Sequence, residues 1–388
     1  MERLVAKNVV VGAGAVGTAA AYHLARRGEP VVLVEQFGPG HARGSSHGAT
    51  RIIRHSYADP DSARLMPRAF QAWRELEADA GRSVYVRTGG ASFCPPGVDY
   101  VESVCENLRE ADVPHRRMSG AAWNEAQPEF TLPADYEVAF EPDAGLLAAS
   151  RVLEILAELA RRGPDTRILN ETPIRRLDLD GDRPVVVADK LTIEADRLIV
   201  AVGAWTGRLV PELAPLLRPT RQKVLYFRPA TPGPFQVGRF PVFIHMGPTA
   251  DEAFYGMPGF LGSGVKFARH GGPPTDPDVP DADAPGPEYE ALLRAYLAAH
   301  LPILAEAPIA ATETCLYTVA PEERFLVDLH PRRDDVLVAS PCSGHGFKFS
   351  ILVGRVLADL AETGRVDPAY APWKRPPAFP PAPERSPA

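Results

Sequence analysis

The sequence has 388 residues, enough for two or three domains and for large cores without disulfides or structural metals. Apolar residues make up 45% and charged residues 23%, an ordinary globular composition that excludes chain-wide disorder. A formal charge of -7 with no basic stripe argues against a nucleic-acid partner, and no run of about 18 apolar residues is present to span a membrane.

The first residues, MERLVAKNVVVGAG, run almost directly into a strand and a glycine turn. They contain no signal-peptide apolar region or small-residue cleavage site, so a cytoplasmic location is expected. Residues 8–12 are predicted as a buried strand. Residues 15–27 form a helix of small residues ended by Gly28, and 31–35 a second strand. This strand–helix–strand unit starts a doubly wound parallel sheet. A Gly/Ser-rich loop follows at 38–50, then a helix at 62–80. Residues 151–162 form an amphipathic helix with Val152, Ile155, Leu156 and Leu159 on one face. Strands are expected at 184–188 and 196–203. The aromatic and polar alternation over 220–270 predicts antiparallel strands. A Pro/Asp-rich loop covers 272–287, a helix 288–300, a strand 336–340 and a helix 349–362. From about residue 368 a Pro-rich tail is expected to be disordered or draped on the surface.

Gly12-Ala13-Gly14-Ala15-Val16-Gly17 is the first motif with chemistry in it. Gly12 permits a tight turn, Gly14 a close backbone approach to a pyrophosphate, and Gly17 the packing of helix on strand. The helix N-terminus then presents free N–H groups to the phosphates. Glu35 ends the second strand, where an acid accepts hydrogen bonds from a ribose and repels a 2'-phosphate. The motif therefore points to a bound dinucleotide other than NADP. No second glycine motif of this kind occurs, so reducing equivalents should come from the organic substrate.

Further along, Thr50-Arg51-Ile52-Ile53-Arg54-His55 would place Arg51 and Arg54 on one face if helical. They are either surface arginines paired with acids or a pair that serves an anion. Gly344, His345 and Gly346 precede Lys348 and a helix; alternating glycines allow backbone to approach a planar ring, and the helix end adds positive potential. The basic residues include only six lysines, and where arginine is the default cation a retained lysine can mark a titratable amine. The cysteines Cys94, Cys105, Cys315 and Cys342 form no CxxC pair, so no metal site is expected and free thiols are.

Together GAGAVG, GSSHGATRIIRHSY (44–57), FYGMP (254–258), GVKFARH (264–270), ETCLYT followed by FLVDLHP, and SGHGFKFS (343–350) resemble the monomeric sarcosine oxidase, N-methyltryptophan oxidase and pipecolate oxidase family of flavoprotein amine oxidases. The resemblance covers about residues 8–370. It implies a two-domain α/β flavoprotein of the glutathione-reductase and D-amino-acid-oxidase type: a Rossmann-like FAD-binding domain (1–85, 145–217 and 320–370), a mixed or antiparallel-sheet substrate domain (86–144 and 218–319) and a tail (371–388). By the same resemblance Cys315 holds FAD covalently, Lys266 activates oxygen, and Arg51 lies against the flavin. Arg54 and Lys348 hold the substrate carboxylate, Tyr255 and Tyr317 are pocket walls, His270 lies near the substrate amine, and His47 and Thr50 fall on the flavin side. The implied protein is a monomer that oxidises a secondary amino acid to an imine, with O2 as acceptor and hydrogen peroxide as product. A dehydrogenase of the same fold and a fructosyl-amino-acid oxidase are the alternatives within the fold. A non-catalytic FAD-binding protein is the alternative outside it.

Overall fold

The computed structural model describes residues 2–279, 285–365 and 367–375. They fall into two compact units: 1–47, 150–220 and 316–388 in the first, 48–149 and 221–315 in the second. Residues 48–85, expected with the nucleotide-binding segments, sit in the second unit. The strand Thr50–Ile53 explains this, because it pairs with Gly145–Ala148, which also pairs with Tyr85–Arg87, in a three-stranded antiparallel sheet.

The first unit is built on a sheet whose central strand, Glu2–Val11, lies parallel to both Leu191–Val200 and Val31–Val34. Arg167–Leu169 extends it on one side, and Arg333–Ser340 pairs in parallel with residues 198–200 on the other. Val9, Val10, Leu33, Leu198 and Ile199 are almost fully buried, as expected of a parallel sheet covered on both faces. The helix Ala15–Arg26 follows the first strand. Its small residues admit a second helix, Ser350–Thr363, so closely that a Cβ on Gly354 would lie 2.6 Å from Ala19. Gly28, just past the first helix, takes φ +77°, a left-handed conformation that glycine adopts without steric cost.

The second unit carries an eight-stranded sheet in the order 309–319, 218–227, 265–269, 253–257, 242–246, 90–94, 137–141, 116–119. The expected antiparallel pairing within 220–270 is present, and one parallel pair, Val242–His245 with Gly90–Phe93, makes the sheet mixed. Side chains alternate across the strands. Phe243, Phe254 and Phe267 join Tyr296 and Leu297 of the helix Pro287–His300 in one core. Tyr226, Tyr255 and Ala268 belong to a separate cluster.

Helices Tyr100–Glu110 and Gly120–Ala126 were not among the sequence expectations. Val152, Ile155, Leu156 and Leu159, the apolar face of the predicted helix at 151–162, are buried, and the helix runs over Ala149–Arg161. Thr50–Ile53 is a strand, which corrects the helical option for Arg51 and Arg54: β-branched Thr50, Ile52 and Ile53 favour the pleated surface. At the C-terminus, Pro368–Trp373 forms a short 3-10 turn with Tyr370 and Trp373 buried, and Trp373 lies against Phe325 and Phe349. The rest of the Pro-rich tail, 376–388, and part of the Pro/Asp-rich loop, 280–284, lie outside the described residues.

His23 sits in the contact between the helices Ala15–Arg26 and Ser350–Thr363, with Nε2 3.0 Å from the Ile351 carbonyl, so that nitrogen donates. Burial, reinforced by Arg355, lowers its pKa from 6.5 to about 3. The folded chain thus refuses a proton that the unfolded chain accepts, and His23 contributes stability that is complete above pH 6.5 and lost as pH falls from there toward 3. The thermal midpoint should drop across that window, and less steeply in His23→Gln. An equal slope in the variant would contradict this account.

Candidate active site

In the first unit the three motif glycines are at work in different ways. Gly12 takes φ +99°, and a Cβ there would lie 2.4 Å from the Ala201 carbonyl oxygen. A Cβ on Gly17 would lie 1.8 Å from the Gly12 oxygen. The fold itself therefore requires both. Gly14 is different: a Cβ there would meet only Ser46 Oγ, at 3.2 Å, so its missing side chain leaves space for a ligand. No acid stands in the first turn of the helix that follows, which keeps its positive end available to an anion.

Glu35 is buried, and its carboxylate accepts the Ala13 N–H at 2.8 Å and the Phe37 N–H at 3.0 Å. A carboxylate has about four acceptor sites, so ribose hydroxyls can still bind to it. Ser46, which the sequence reading did not single out, accepts the Ala15 N–H at 3.0 Å and caps the helix from the Gly/Ser-rich loop; no sequence spacing signals that role. These residues fit a dinucleotide.

Also in the first unit, Gly344 takes φ +89°, and a Cβ on Gly346 would fall 1.5 Å from the Pro341 oxygen. His345 stacks on Phe325 with ring centroids 4.6 Å apart and places Nε2 3.1 Å from the Glu323 carbonyl. Lys348 is buried in the 3-10 turn Gly346–Phe349, its amine 3.4 Å from the His345 carbonyl. Tyr317 lies on the strand Ile309–Val319, and His47 ends the Gly/Ser-rich loop in this unit.

The second unit gathers the charged groups. Lys266 is buried, and its amine donates to the Thr50 carbonyl at 3.2 Å. Arg51 Nη1 donates to the same oxygen at 2.9 Å. Two cations thus converge on one backbone acceptor. Burial, followed by Arg51, lowers the Lys266 pKa from 10.5 to about 7, while Glu313 and Cys315 oppose the shift. Burial raises the Cys315 thiol, with Arg51 and Lys266 pulling the other way. Glu313 stands two residues before Cys315 on the same strand and accepts a 2.7 Å hydrogen bond from Tyr226. Neither Glu313 nor Tyr226 was singled out from sequence. Alternation with Cys315 at i, i+2 is the signal that would have pointed to Glu313.

Arg54 follows the strand Thr50–Ile53 and lies over the Tyr57 ring, 4.3 Å from its centroid. Its Nε and Nη1 are buried and have no hydrogen-bond partner among the described residues. Glu141 fixes the segment just beyond: its carboxylate accepts the His55 and Ser56 N–H groups and meets His55 Nδ1 at 2.6 Å. Tyr255 belongs to the cluster around Tyr226, and His270 follows the strand Val265–Arg269, its N–H bonded to the Ala253 carbonyl at 2.7 Å. The structure thus brings together Thr50, Arg51, Lys266 and Cys315. Among the described residues no cluster of three or more His, Cys, Asp or Glu could hold a metal ion.

Residues 7–360 match the family of FAD dependent oxidoreductases. The chain belongs to that family. It is 35% identical to the monomeric sarcosine oxidase of Bacillus sp. (strain NS-129), over 92% of this chain and 93% of that protein. It is 29% identical to the N-methyl-L-tryptophan oxidase of Salmonella arizonae, over 91% and 94%. Among solved structures it is similar to the open form of NikD, an unusual amino acid oxidase essential for nikkomycin biosynthesis, with TM-score 0.83, 26% identity and coverage of 96% and 97%. The fold is that of a two-domain Rossmann-like flavoprotein, and the cofactor is FAD.

The glycine geometry separates a binding role from a folding role. Gly17→Ala should lower the thermal midpoint sharply, since backbone blocks the new methyl group. Compared as flavin-free proteins, Gly14→Ala should leave that midpoint within a few degrees, and it should lose bound flavin, read as visible absorbance per protein. Full flavin content in Gly14→Ala would contradict the assignment.

Proposed function

We propose that this protein is an oxidase of secondary amino acids, sarcosine or another N-methyl or cyclic amino acid, that forms an imine and passes the electrons to O2. The observation that carries this reading is Lys266: a buried amine beside Arg51 whose pKa, lowered mainly by burial to about 7, lets it carry a proton near neutral pH. A fixed cation in a dry site stabilises negative charge as it develops on oxygen.

Arg54 binds the substrate carboxylate. Its buried Nε and Nη1, with no hydrogen-bond partner among the described residues, leave guanidinium donors available to an anion, and the Glu141 clamp on residues 55 and 56 holds it in place. Lys348 is assigned to the same carboxylate by resemblance alone. Tyr255 and Tyr317 contribute pocket wall, and His270 tunes loss of the proton from the substrate amine, whose lone pair supports oxidation. His47, Thr50 and the Gly344–Gly346 turn lie along the cofactor.

Held by the Gly12–Gly17 turn and Glu35, FAD would supply a two-electron acceptor for the hydride equivalent on the carbon next to nitrogen and would return those electrons, with two protons, to O2 as hydrogen peroxide. Hydrolysis of the imine from sarcosine gives glycine and formaldehyde. Cys315 is the proposed covalent attachment point, with Arg51 and Lys266 favouring its thiolate. A monomer in the cytoplasm is the proposed working form; the four unpaired cysteines suit a reducing compartment.

Anaerobic mixing with sarcosine, N-methyltryptophan, pipecolate, proline and a fructosyl amino acid tests the reading. A secondary amino acid should bleach the visible flavin band, its methyl ester should bleach it far less, and air should restore the colour with about one peroxide per flavin. Bleaching by the fructosyl compound alone, or slow reoxidation without peroxide, would overturn it in favour of a deglycating enzyme or a dehydrogenase.

A further inference from the structure

We propose that Glu313, anchored by Tyr226, is a positioning residue for Lys266: its carboxylate is the counter-charge that keeps the buried amine protonated next to Arg51. This rests on the role given to Lys266 above. Tyr226 stands opposite Lys266 in the register of two adjacent antiparallel strands. The Lys266 amine lies 5.7 Å from the centre of the Tyr226 ring, and the hydroxyl of that ring donates to Glu313 Oε2 at 2.7 Å.

A second observation places the carboxylate near Arg51. A Cβ on Gly48 would lie 2.9 Å from Glu313 Oε2 and 3.3 Å from Arg51 Nη1, so both groups border the same small space, at a glycine with φ +90°. The titratable and charged groups around Lys266 are thus Arg51, Glu313, Cys315 and Tyr226. Burial and Glu313 raise the Tyr226 pKa far above the usual phenol range, so its hydroxyl remains a donor. Arginine keeps its proton at all ordinary pH values. Without the carboxylate, only Lys266 can relieve the repulsion, by losing its proton.

The flavin-loaded protein, labelled with [13C]lysine, would be titrated by NMR. Only six lysines give signals, and the Lys266→Met variant assigns the one in question. In Glu313→Gln the Lys266 midpoint should fall by about one pH unit. Glu313→Asp should restore most of it, and Tyr226→Phe should lower it by less. The pH above which flavin reoxidation slows should fall in parallel. An unchanged Lys266 midpoint in folded Glu313→Gln, or in Tyr226→Phe if the first variant does not fold, would overturn the proposal. A lowered midpoint with an unmoved reoxidation profile would uphold the positioning role and remove Lys266 from the oxygen step.

Discussion

The chemistry proposed for this protein depends on a lysine amine kept out of water. Desolvation disfavours the charged form of a buried amine, and Arg51 on the same carbonyl acceptor adds to the penalty. Two unit charges about 5 Å apart, at an effective dielectric of about 20, repel by roughly 3 kcal/mol, or about two pKa units. One well-placed carboxylate therefore offsets part of the effect of one arginine. The strands of the second unit supply that balance: Thr50 offers its carbonyl, Tyr226 and Lys266 face each other in register, and Glu313 and Cys315 alternate on the strand beyond.

Binding and chemistry are built by different rules. In the first unit the requirement is steric. Gly12 and Gly17 are demanded by the backbone, Gly14 is left open, and Glu35 and Ser46 tie down the turn around them. In the second unit the requirement is electrostatic, and it is met by side chains from strands far apart in sequence. That difference explains how unevenly the site could be read from sequence.

The nucleotide turn was legible because all its parts lie within about 30 residues and each glycine has a local steric reason. The buried face of helix 149–161 was legible from its period, and the antiparallel pairing within 220–270 from the change in alternation after residue 220. Arg51 and Arg54 could be named but not placed: a helical face was as natural as a strand until pairing with Gly145–Ala148 decided it. Tyr226 and Glu141 were invisible because their contacts are with partners more than 80 residues away, and Glu313 had only its alternation with Cys315 to mark it. The first unit's boundary at residue 47 was hidden for the same reason, since the pairing of strand 50–53 is long-range.

Comparison of the two half-reactions in Lys266→Met tests the central claim most directly. Reduction of the flavin by substrate under anaerobic conditions should proceed within a few-fold of the parent rate. Reoxidation by O2 should slow by orders of magnitude and lose the decline that the parent shows as pH rises through about 7. Equal loss of both half-reactions, or reoxidation at the parent rate, would contradict the account.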